Sequence, residues 1–385
     1  MPSGLSDGLP IREFLLVGLT AAAVTFLLTG LVRLLAFRMG AVAYPRKRDV
    51  HVVPMPRMGG LAMFGGVCGG MLLAHQLPLL RRAFDPYFLD PFAVLVAGAI
   101  IVLVGIIDDR FELDSLTKLA GQVTAAGVLV LFGVQWYVFW VPWGGQGNGL
   151  GSVLVLGQNQ GGILTVLLAV TLINAMNFVD GLDGLAAGIG LIAATATCAF
   201  SLVQLRDSGG DVMNYPPALI AATLAGACVG FLPFNFQPAK IFMGDSGSML
   251  IGLMLAASST SASGRLSYSH FSGRDYLALL SPLLVVAAVL FVPLLDLLMA
   301  VIRRTWHGQS PFHADKMHLH HRLLEIGHSQ RRAVLLIYLW AAVIAFGAVA
   351  LTVFNEFVVL GVVCVGLLLA LLVSVVPRLK EAHRS

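Results

Sequence analysis

The sequence predicts an all-α polytopic membrane protein. Of its 385 residues, 58% are hydrophobic and only 11% are charged, a balance that is rare among water-soluble domains. The mean hydropathy is +0.87, and the apolar residues form runs long enough to cross a bilayer as helices. We therefore expect one integral-membrane domain over residues 1–385 and no separate soluble domain.

The chain contains eleven apolar runs that predict transmembrane helices. The first run is about 20 residues long and lacks a small-residue cleavage site, which favours a spanning helix over a cleavable signal peptide. Pro282 and Pro293 predict a kink in the ninth helix, because proline removes a backbone hydrogen bond; a gently bent, packed helix also accommodates them. The predicted helices lie near residues 13–37, 58–76, 92–107, 118–134, 161–176, 184–204, 217–234, 246–261, 277–302, 332–353 and 355–376.

The distribution of basic residues predicts the orientation of these helices. An odd number of spans puts the two termini on opposite sides of the membrane. If Met1 lies outside, eighteen of the 24 Lys and Arg residues fall in cytoplasmic segments or at cytoplasmic helix ends. The positive-inside rule therefore favours an external N-terminus and a cytoplasmic C-terminus. Because these basic residues are scattered at helix ends, we expect no nucleic-acid partner.

On this map, five polar stretches fall on the cytoplasmic side. They surround His51, Asp108, Asp180, Asp245 and His318. In contrast, the external stretch 135–160 has no acidic residue and no histidine, and its glycines and aromatic residues predict an interfacial hairpin. The sequence therefore indicates a functional site on the inner membrane face.

One of these stretches, NAMNFVDGLDGLAAG, interrupts two apolar runs with regularly spaced polar residues. If it stays helical, Asn174, Asn177 and Asp180 share one helix face. Polar groups are costly in hydrocarbon, so they require a metal, a ligand or another polar helix as partner. The alternative interpretation of the same residues is a pair of Asp-Gly turns between two helices.

Three further acidic residues predict a cation site. Asp108 and Asp109 end the third predicted helix, and adjacent carboxylates repel each other unless a cation lies nearby. Hard oxygen ligands suit Mg²⁺ or Mn²⁺. Asp245 precedes the eighth helix, where it can bind a metal or cap the helix. Lys118, at the start of the fourth helix, either meets a phosphate or extends to solvent.

The cytoplasmic stretch 303–331 is predicted to be a His-rich loop. Half of the ten histidines lie between Ser310 and Ser329. Their spacing, without a cysteine, does not match a structural zinc site; with Lys316 and Arg322 they suit phosphate groups. His51 follows a basic run that membrane topology also explains.

Acidic residues for a cation, basic residues for phosphates and a lipid-accessible setting together indicate phosphoryl transfer on a membrane lipid. Two other classes remain as alternatives. A transporter would place its polar residues near the bilayer midplane, often in inverted repeats, and a structural subunit would not need five polar clusters on one side.

Five motifs in order resemble the polyprenyl-phosphate N-acetylhexosamine-1-phosphate transferases: HVVPMPRMGG, IDDRFELDSLTK, NAMNFVDGLDGLAAG, FMGDSGS and ADKMHLHHR. The resemblance implies a bacterial inner-membrane enzyme that transfers a sugar 1-phosphate from a UDP-sugar to undecaprenyl or decaprenyl phosphate, releasing UMP, with Mg²⁺ or Mn²⁺. His-Leu-His-His, from His318 to His321, resembles the branch that uses UDP-N-acetylglucosamine to begin lipopolysaccharide, teichoic acid or arabinogalactan linkers. The phospho-N-acetylmuramoyl-pentapeptide transferases, with three consecutive histidines there, are the alternative branch.

The resemblance also implies roles for individual residues. Asp109 and Asp245 would bind the metal, Asp183 would hydrogen-bond uracil, and Phe242 would stack on it. The implied catalytic residues are Asp108, Asp109, Asp180, His318, His320 and His321. The resemblance implies that Asn177, Asp183, Phe242 and Arg322 bind substrate, and the residue patterns described above add His51, Lys118 and Asn174 to the expected substrate-binding residues. A homodimer and inhibition by tunicamycin-type nucleosides are expected on the same ground.

Two mechanisms are compatible with these residues. A phosphate monoester has a second pKa near 6 and is largely dianionic at pH 7. The lipid phosphate is therefore expected to attack the β-phosphorus of the UDP-sugar directly, with Asp108 orienting or deprotonating it. A covalent aspartyl-phosphate intermediate is the rival route.

Overall fold

The computed structural model describes residues 9–44, 54–84, 89–141, 152–263 and 329–382, together with the isolated positions 287 and 291. Over these residues the chain is mostly helical. Short 3-10 helices cover Leu80–Phe84 and Val212–Asn214. The described α-helices are α1 (Ile11–Met39), α2 (Gly59–Gln76), α3 (Asp90–Phe111), α4 (Ser115–Leu131), α5 (Gln158–Val179), α6 (Leu185–Asp207), α7 (Tyr215–Asn235), α8 (Gly244–Ser263), α9 (Gln330–Val353) and α10 (Glu356–Ala382).

Two antiparallel strand pairs connect some of these helices. Strand β1 (Val42–Ala43) pairs with β2 (Met55–Pro56) just before α2. Strand β3 (Val138–Val141) pairs with β4 (Ser152–Val155), with Val138 opposite Val155. The second pair confirms the hairpin predicted between residues 135 and 160.

The polytopic helical architecture is confirmed. Among the described residues, seven helical segments are long and apolar enough to cross a membrane: α1, α3, α5, α6, Val212–Asn235, α9 and Glu356–Ser374. Ten of the eleven predicted segments coincide with a described helix. The ninth, at 277–302, falls outside the described residues except at positions 287 and 291, so the kink and the count of eleven stay predictions.

Helix boundaries differ from the prediction where a polar residue fixes a helix end. Helix α4 begins at Ser115 rather than near residue 118, because the Asp114 side chain accepts hydrogen bonds from the N–H groups of Leu116 and Thr117 and so caps the helix. Helix α8 begins at Gly244, so Asp245 lies within its first turn.

Helix α8 lies at the centre of the described helices. Every residue from Ser246 to Ser263 is buried, and α8 contacts α2, α3, α5, α6 and α7. The peripheral helices α1 and α10 instead expose large apolar side chains such as Leu27 and Phe357. A buried central helix with apolar side chains exposed on the peripheral helices is the arrangement expected when the outer faces contact lipid.

Two glycines let the start of α8 lie against its neighbours. A Cβ on Gly60 of α2 would collide with the backbone of Gly247, and one on Gly105 of α3 would collide with the backbone of Ser246. Small residues of this kind allow helix backbones to approach closely inside a membrane. The start of α8 is therefore held beside the last turn of α3, where Asp108 and Asp109 lie.

Candidate active site

The candidate site forms where the last turns of α3 and α5 meet the first turns of α4 and α8. Hydrogen bonds and ion pairs join side chains from all four helices there. The structure therefore brings together residues that lie far apart in the sequence.

Asp109 caps helix α8 from a neighbouring helix. Its Oδ1 accepts a hydrogen bond from the Asp245 N–H at 3.0 Å, and its Oδ2 accepts from the Ser246 hydroxyl at 3.0 Å and the Ser246 N–H at 3.4 Å. The first N–H groups of a helix have no partner within it and carry partial positive charge. A carboxylate that is only 7% exposed satisfies them here. Asp109 thus fixes the position of Asp245, and its predicted role as a metal ligand stays a prediction.

Gly244 makes this cap possible. It has a φ of +70°, a left-handed conformation that glycine adopts without steric cost. A Cβ at this position would also collide with the Asp109 carboxylate. The small residues in FMGDSGS therefore allow the carboxylate to approach the helix backbone.

Asp108 and Asp245 converge on a single positive charge, the ammonium group of Lys118. Lys118 Nζ lies 3.2 Å from Asp108 Oδ2 and forms a second ion pair with Asp245 Oδ2. The other oxygen of Asp108 accepts a hydrogen bond from the Leu113 N–H at 2.8 Å. All three charged side chains are largely buried, with Lys118, Asp108 and Asp245 retaining 20%, 13% and 26% of their exposure.

This donor set fits a divalent cation. Two carboxylate oxygens from different helices already surround one cationic group, and Mg²⁺ is typically held by one or two carboxylates together with substrate phosphates. Among the residues that the structure describes, no group of three or more His, Cys, Asp or Glu side chains forms a complete metal site. Asp108 and Asp245 therefore suit a cation whose coordination is completed by substrate and water.

The two asparagines of α5 find polar partners on neighbouring helices, as expected for amides in an apolar setting. Asn174 Nδ2 donates to Gln122 Oε1 at 2.7 Å, and Asn177 Nδ2 donates to Ser248 Oγ at 3.2 Å. These contacts tie α5 to α4 and α8. The sequence reasoning missed Gln122, although an amide inside the apolar run of α4 was a signal for such a contact.

Asp180 follows α5 directly and lies within the same electrostatic environment. Loss of solvent, and to a smaller extent the nearby carboxylates of Asp109 and Asp183, raise the pKa of Asp180 to about 7 although the positive charge of Arg57 acts in the opposite direction. Burial among other carboxylates therefore disfavours the charged form of Asp180. The positive charge of Arg57, just before α2, also acts on the Asp109 carboxylate. Arg57 was not singled out from the sequence, because the segment MPRMGG shows only a basic residue at a helix start.

Asp183 and Asn235 hold the segment 236–241, which leads to Phe242. Asp183 is 5% exposed, and its Oδ2 accepts a hydrogen bond from the Ala239 N–H at 3.0 Å. Asn235 accepts from the Gly184 N–H and donates to the Ile241 carbonyl, both at 3.1 Å. The predicted contact of Asp183 with uracil stays a prediction. Asn235 was missed, although it ends an otherwise apolar helix.

Phe242 lies beside the start of α2. Its N–H donates to the Pro56 carbonyl at 2.8 Å, and its carbonyl accepts from the Gly59 N–H at 3.2 Å. These backbone hydrogen bonds place Phe242, which lies just before α8 in the sequence, against the end of β2 and the start of α2. Stacking of its ring on a base stays a prediction.

The remaining predicted site residues lie outside the described part of the chain: His51, His318, His320, His321 and Arg322. The predicted His-rich loop 303–331 is described only from Ser329 onward. Its last residues are anchored on the segment 236–241, because Arg331 Nε donates to the Gln237 carbonyl at 2.9 Å. Gln237 Nε2 also donates to Gln330 Oε1 at 2.6 Å. The end of the loop is therefore held next to the segment that leads to Phe242.

Known proteins resemble this chain over nearly its whole length. The decaprenyl-phosphate N-acetylglucosaminephosphotransferase of Mycobacterium tuberculosis is 59% identical over 374 residues, covering 97% of this chain and 91% of the relative. The protein of the same name from Mycolicibacterium smegmatis is 59% identical over 98% of this chain and 92% of its own length. The probable undecaprenyl-phosphate N-acetylglucosaminyl 1-phosphate transferase of Bacillus subtilis is 34% identical over 84% of this chain and 81% of its own.

A family model matches the part of the chain that contains most of the candidate site. The model of the family described as "Glycosyl transferase family 4" matches residues 91–263. This range contains Asp108, Lys118, Asp180 and Asp245, together with helices α4, α5 and α8 and all of α3 except its first residue. Together with the relatives' identity over almost the full chain, this match shows that the protein belongs to glycosyl transferase family 4.

Proposed function

We propose that this protein transfers N-acetylglucosamine 1-phosphate from UDP-N-acetylglucosamine to a polyprenyl phosphate in the membrane and releases UMP. The observation that carries the proposal is the convergence of Asp108 and Asp245 on one cationic position at the end of a membrane-type helix bundle. The names of the relatives supply the sugar phosphate and the lipid, and decaprenyl phosphate is the lipid named for those at 59% identity. These names favour this reaction over the muramoyl-pentapeptide and transporter alternatives.

Phosphoryl transfer of this kind depends mainly on positioning and on neutralising charge. Asp108 and Asp245 would hold Mg²⁺ or Mn²⁺, which when bound supplies positive charge to the pyrophosphate of the donor. Asp109 and Ser246 keep Asp245 in place through the start of α8. Lys118, which pairs with Asp108 and Asp245, and Arg57, whose positive charge acts on Asp109 and Asp180, can bind phosphate oxygens.

The reaction is a direct displacement. An oxygen of the largely dianionic lipid phosphate forms a bond to the β-phosphorus of the UDP-sugar. The bond between the β-phosphorus and the bridging oxygen breaks, and UMP leaves with that oxygen. Where the acceptor phosphate is a monoanion, Asp108 accepts a hydrogen bond from its OH group and so orients or deprotonates it; no proton has to be removed from a dianion. A sugar-phosphate adduct isolated on Asp108 would instead establish the covalent route.

The predicted topology puts this chemistry on the cytoplasmic side of the bacterial inner membrane. The excess of Lys and Arg at one end of the helices supports this orientation. Eleven spans, an external N-terminus, a kinked ninth helix and a homodimer belong to the same proposal. Binding of UDP-sugar and lipid from that side also requires the His-rich loop, whose His318, His320, His321 and Arg322 we assign to the diphosphate or the sugar, and His51 near the second helix.

The proposal is tested by measuring UMP release from the detergent-purified chain with decaprenyl phosphate and Mg²⁺. Reactions receive either UDP-N-acetylglucosamine or UDP-N-acetylmuramoyl-pentapeptide. We expect release with the first donor only, abolished by EDTA and reduced at least 100-fold in Asp245→Asn, because a neutral amide holds a cation less well than a carboxylate. The matched control is Asp207→Asn, which removes an exposed carboxylate paired with Arg206 and should leave the rate unchanged.

Release with the muramoyl-pentapeptide donor alone would move the protein to the other branch. An unchanged rate in Asp245→Asn, or release that persists in EDTA, would contradict the assigned metal site. Absence of UMP release with either donor would overturn the proposed reaction.

A further inference from the structure

Lys118 occupies the position between the two acidic side chains that are expected to hold the metal. Its ammonium group pairs with Asp108 from α3 and with Asp245 from α8. The lysine itself belongs to α4, so three helices meet at one cation. A substrate-binding lysine free to meet phosphate would not need to bridge both carboxylates.

The backbone of Lys118 is fixed, whereas its side chain can move. Asp114 caps the start of α4 through the N–H groups of Leu116 and Thr117 and the Thr117 hydroxyl. The Lys118 N–H continues this first turn by donating to the Asp114 carbonyl at 3.1 Å. The side chain beyond it is a flexible four-carbon chain that ends in a mobile charge, so the ammonium group can leave the carboxylates without any change in the helix.

The ammonium group and a divalent cation exclude each other from this position. Both carry positive charge, and the ammonium group has no lone pair with which to bind a metal. One positive charge also leaves the Asp108–Asp245 pair with a net negative charge, which a divalent cation would neutralise in full. In a largely buried setting, charge interactions of this kind are strong because solvent screens them weakly.

We propose that Lys118 is a built-in counter-ion of the metal site, which keeps Asp108 and Asp245 together before a divalent cation enters and which the cation must displace. This inference deepens the proposed function and rests on its assignment of the metal to these two carboxylates. Displacement releases the ammonium group next to the new cation, where it binds the phosphate oxygens that arrive with the substrates. Metal binding and phosphate binding by Lys118 are thereby coupled.

The direct test measures Mn²⁺ binding by electron paramagnetic resonance on the full chain in detergent, without either substrate. We expect Lys118→Met to bind Mn²⁺ about tenfold more tightly than the unaltered protein, because the competing charge is gone. Lys118→Arg, which restores a positive charge, should bind Mn²⁺ with nearly unaltered affinity. The matched control is Arg206→Met, which removes one positive charge from the exposed Arg206–Asp207 ion pair and should change nothing. Equal or weaker Mn²⁺ binding by Lys118→Met would overturn the inference.

A second measurement uses the unaltered protein and so does not depend on the folding of a variant. The chain is treated with an amine-reactive acetylating reagent, and the modification of each lysine is followed by mass spectrometry. Saturating Mg²⁺ should raise the rate at Lys118 several-fold, while the exposed Lys240 reacts at the same rate with and without Mg²⁺. An unchanged rate at Lys118 would overturn the inference.

These results are separable from the fate of the proposed function. Competition between Lys118 and Mn²⁺ together with no UMP release from any UDP-sugar would leave the counter-ion role standing and remove the proposed reaction. UMP release without competition would do the reverse.

Discussion

Asp109 acts on the candidate site indirectly, because it fixes the position of the Asp245 carboxylate. Both of its oxygens accept hydrogen bonds from the first turn of α8, and it is almost fully buried. A buried carboxylate with this many donors is held in one orientation. In the neighbouring Asp108, one carboxylate oxygen accepts a hydrogen bond from a backbone N–H group, and the other pairs with the ammonium group of Lys118. Two adjacent acids therefore have different surroundings and different uses.

Replacing Asp109 by asparagine distinguishes capping from metal binding. In Asp109→Asn one amide nitrogen must face the N–H groups of α8, so we expect a loss of about 1–2 kcal/mol of stability and a large loss of UMP release. Thermal unfolding in detergent and Mn²⁺ binding measure the two effects. The control is Asp114→Asn, at the exposed cap of α4, where asparagine caps about as well. Unaltered stability with strongly weakened Mn²⁺ binding would show that Asp109 acts as a ligand rather than as a cap.

At the scale of elements, the site depends on how closely helices approach α8. Gly60 of α2 and Gly105 of α3 contact the backbone at Ser246 and Gly247 with no room for a Cβ. Asn177 of α5 then reaches Ser248 on the same helix. The position of Asp245 is thus set by packing on several sides at once.

A single methyl group at this crossing should disturb the site. We expect Gly105→Ala to cost about 1–3 kcal/mol through overpacking and to reduce UMP release more than tenfold, because α8 must shift away from Asp108. Gly127→Ala is the matched control: it lies in α4 with no atom within 4 Å of the added Cβ, and alanine favours helix there. The unfolding temperature in detergent and the rate of UMP release are measured for both. Equal behaviour of the two variants would show that the close crossing does not position Asp245.

At the scale of the whole molecule, the site lies at one end of a bundle whose outer surface is apolar. Helix α1, and helix α10 as far as Ser374, expose leucine, valine and phenylalanine, which suits contact with lipid. The polar contacts of Asp108, Asn177, Asp180 and Asp245 are gathered where helices end. A lipid substrate could thus present its phosphate at the same depth as these side chains while its chain stays in the hydrocarbon.

The orientation of this bundle can be tested by cysteine labelling in intact cells. Cys68, Cys198, Cys228 and Cys364 are first replaced by alanine, and one new cysteine is then introduced on an exposed residue at each end. We expect Asp207→Cys, at the end of α6, to react with a membrane-impermeant maleimide from outside, and Ser115→Cys, beside the site, to react only after permeabilisation. The opposite labelling pattern would reverse the predicted topology.

Much of the helical layout was predictable, because the length of an apolar run and the polar or glycine residues that end it act locally. The predicted runs near 13–37 and 332–353 match α1 and α9 within a few residues. The start of α4 was misplaced, because Asp114 extends the helix through its cap where the apolar pattern is weak. The hydrogen bond between the Gln122 and Asn174 side chains and the role of Asn235 were not predicted. A single polar residue in an apolar run does not indicate which residue it contacts in the folded chain.

The class of protein and the kinds of residue at the site follow from the amino-acid sequence alone. Hydrophobic runs of spanning length define membrane helices locally, and the order of five motifs indicated the family. How these residues are used depends on the folded arrangement of the helices. It joined Asp109 to the start of α8 and put Lys118 between Asp108 and Asp245. The physical reason is that hydrogen bonds and charge pairs depend on distances between helices, which follow from packing at residues such as Gly60 and Gly105 rather than from spacing along the chain.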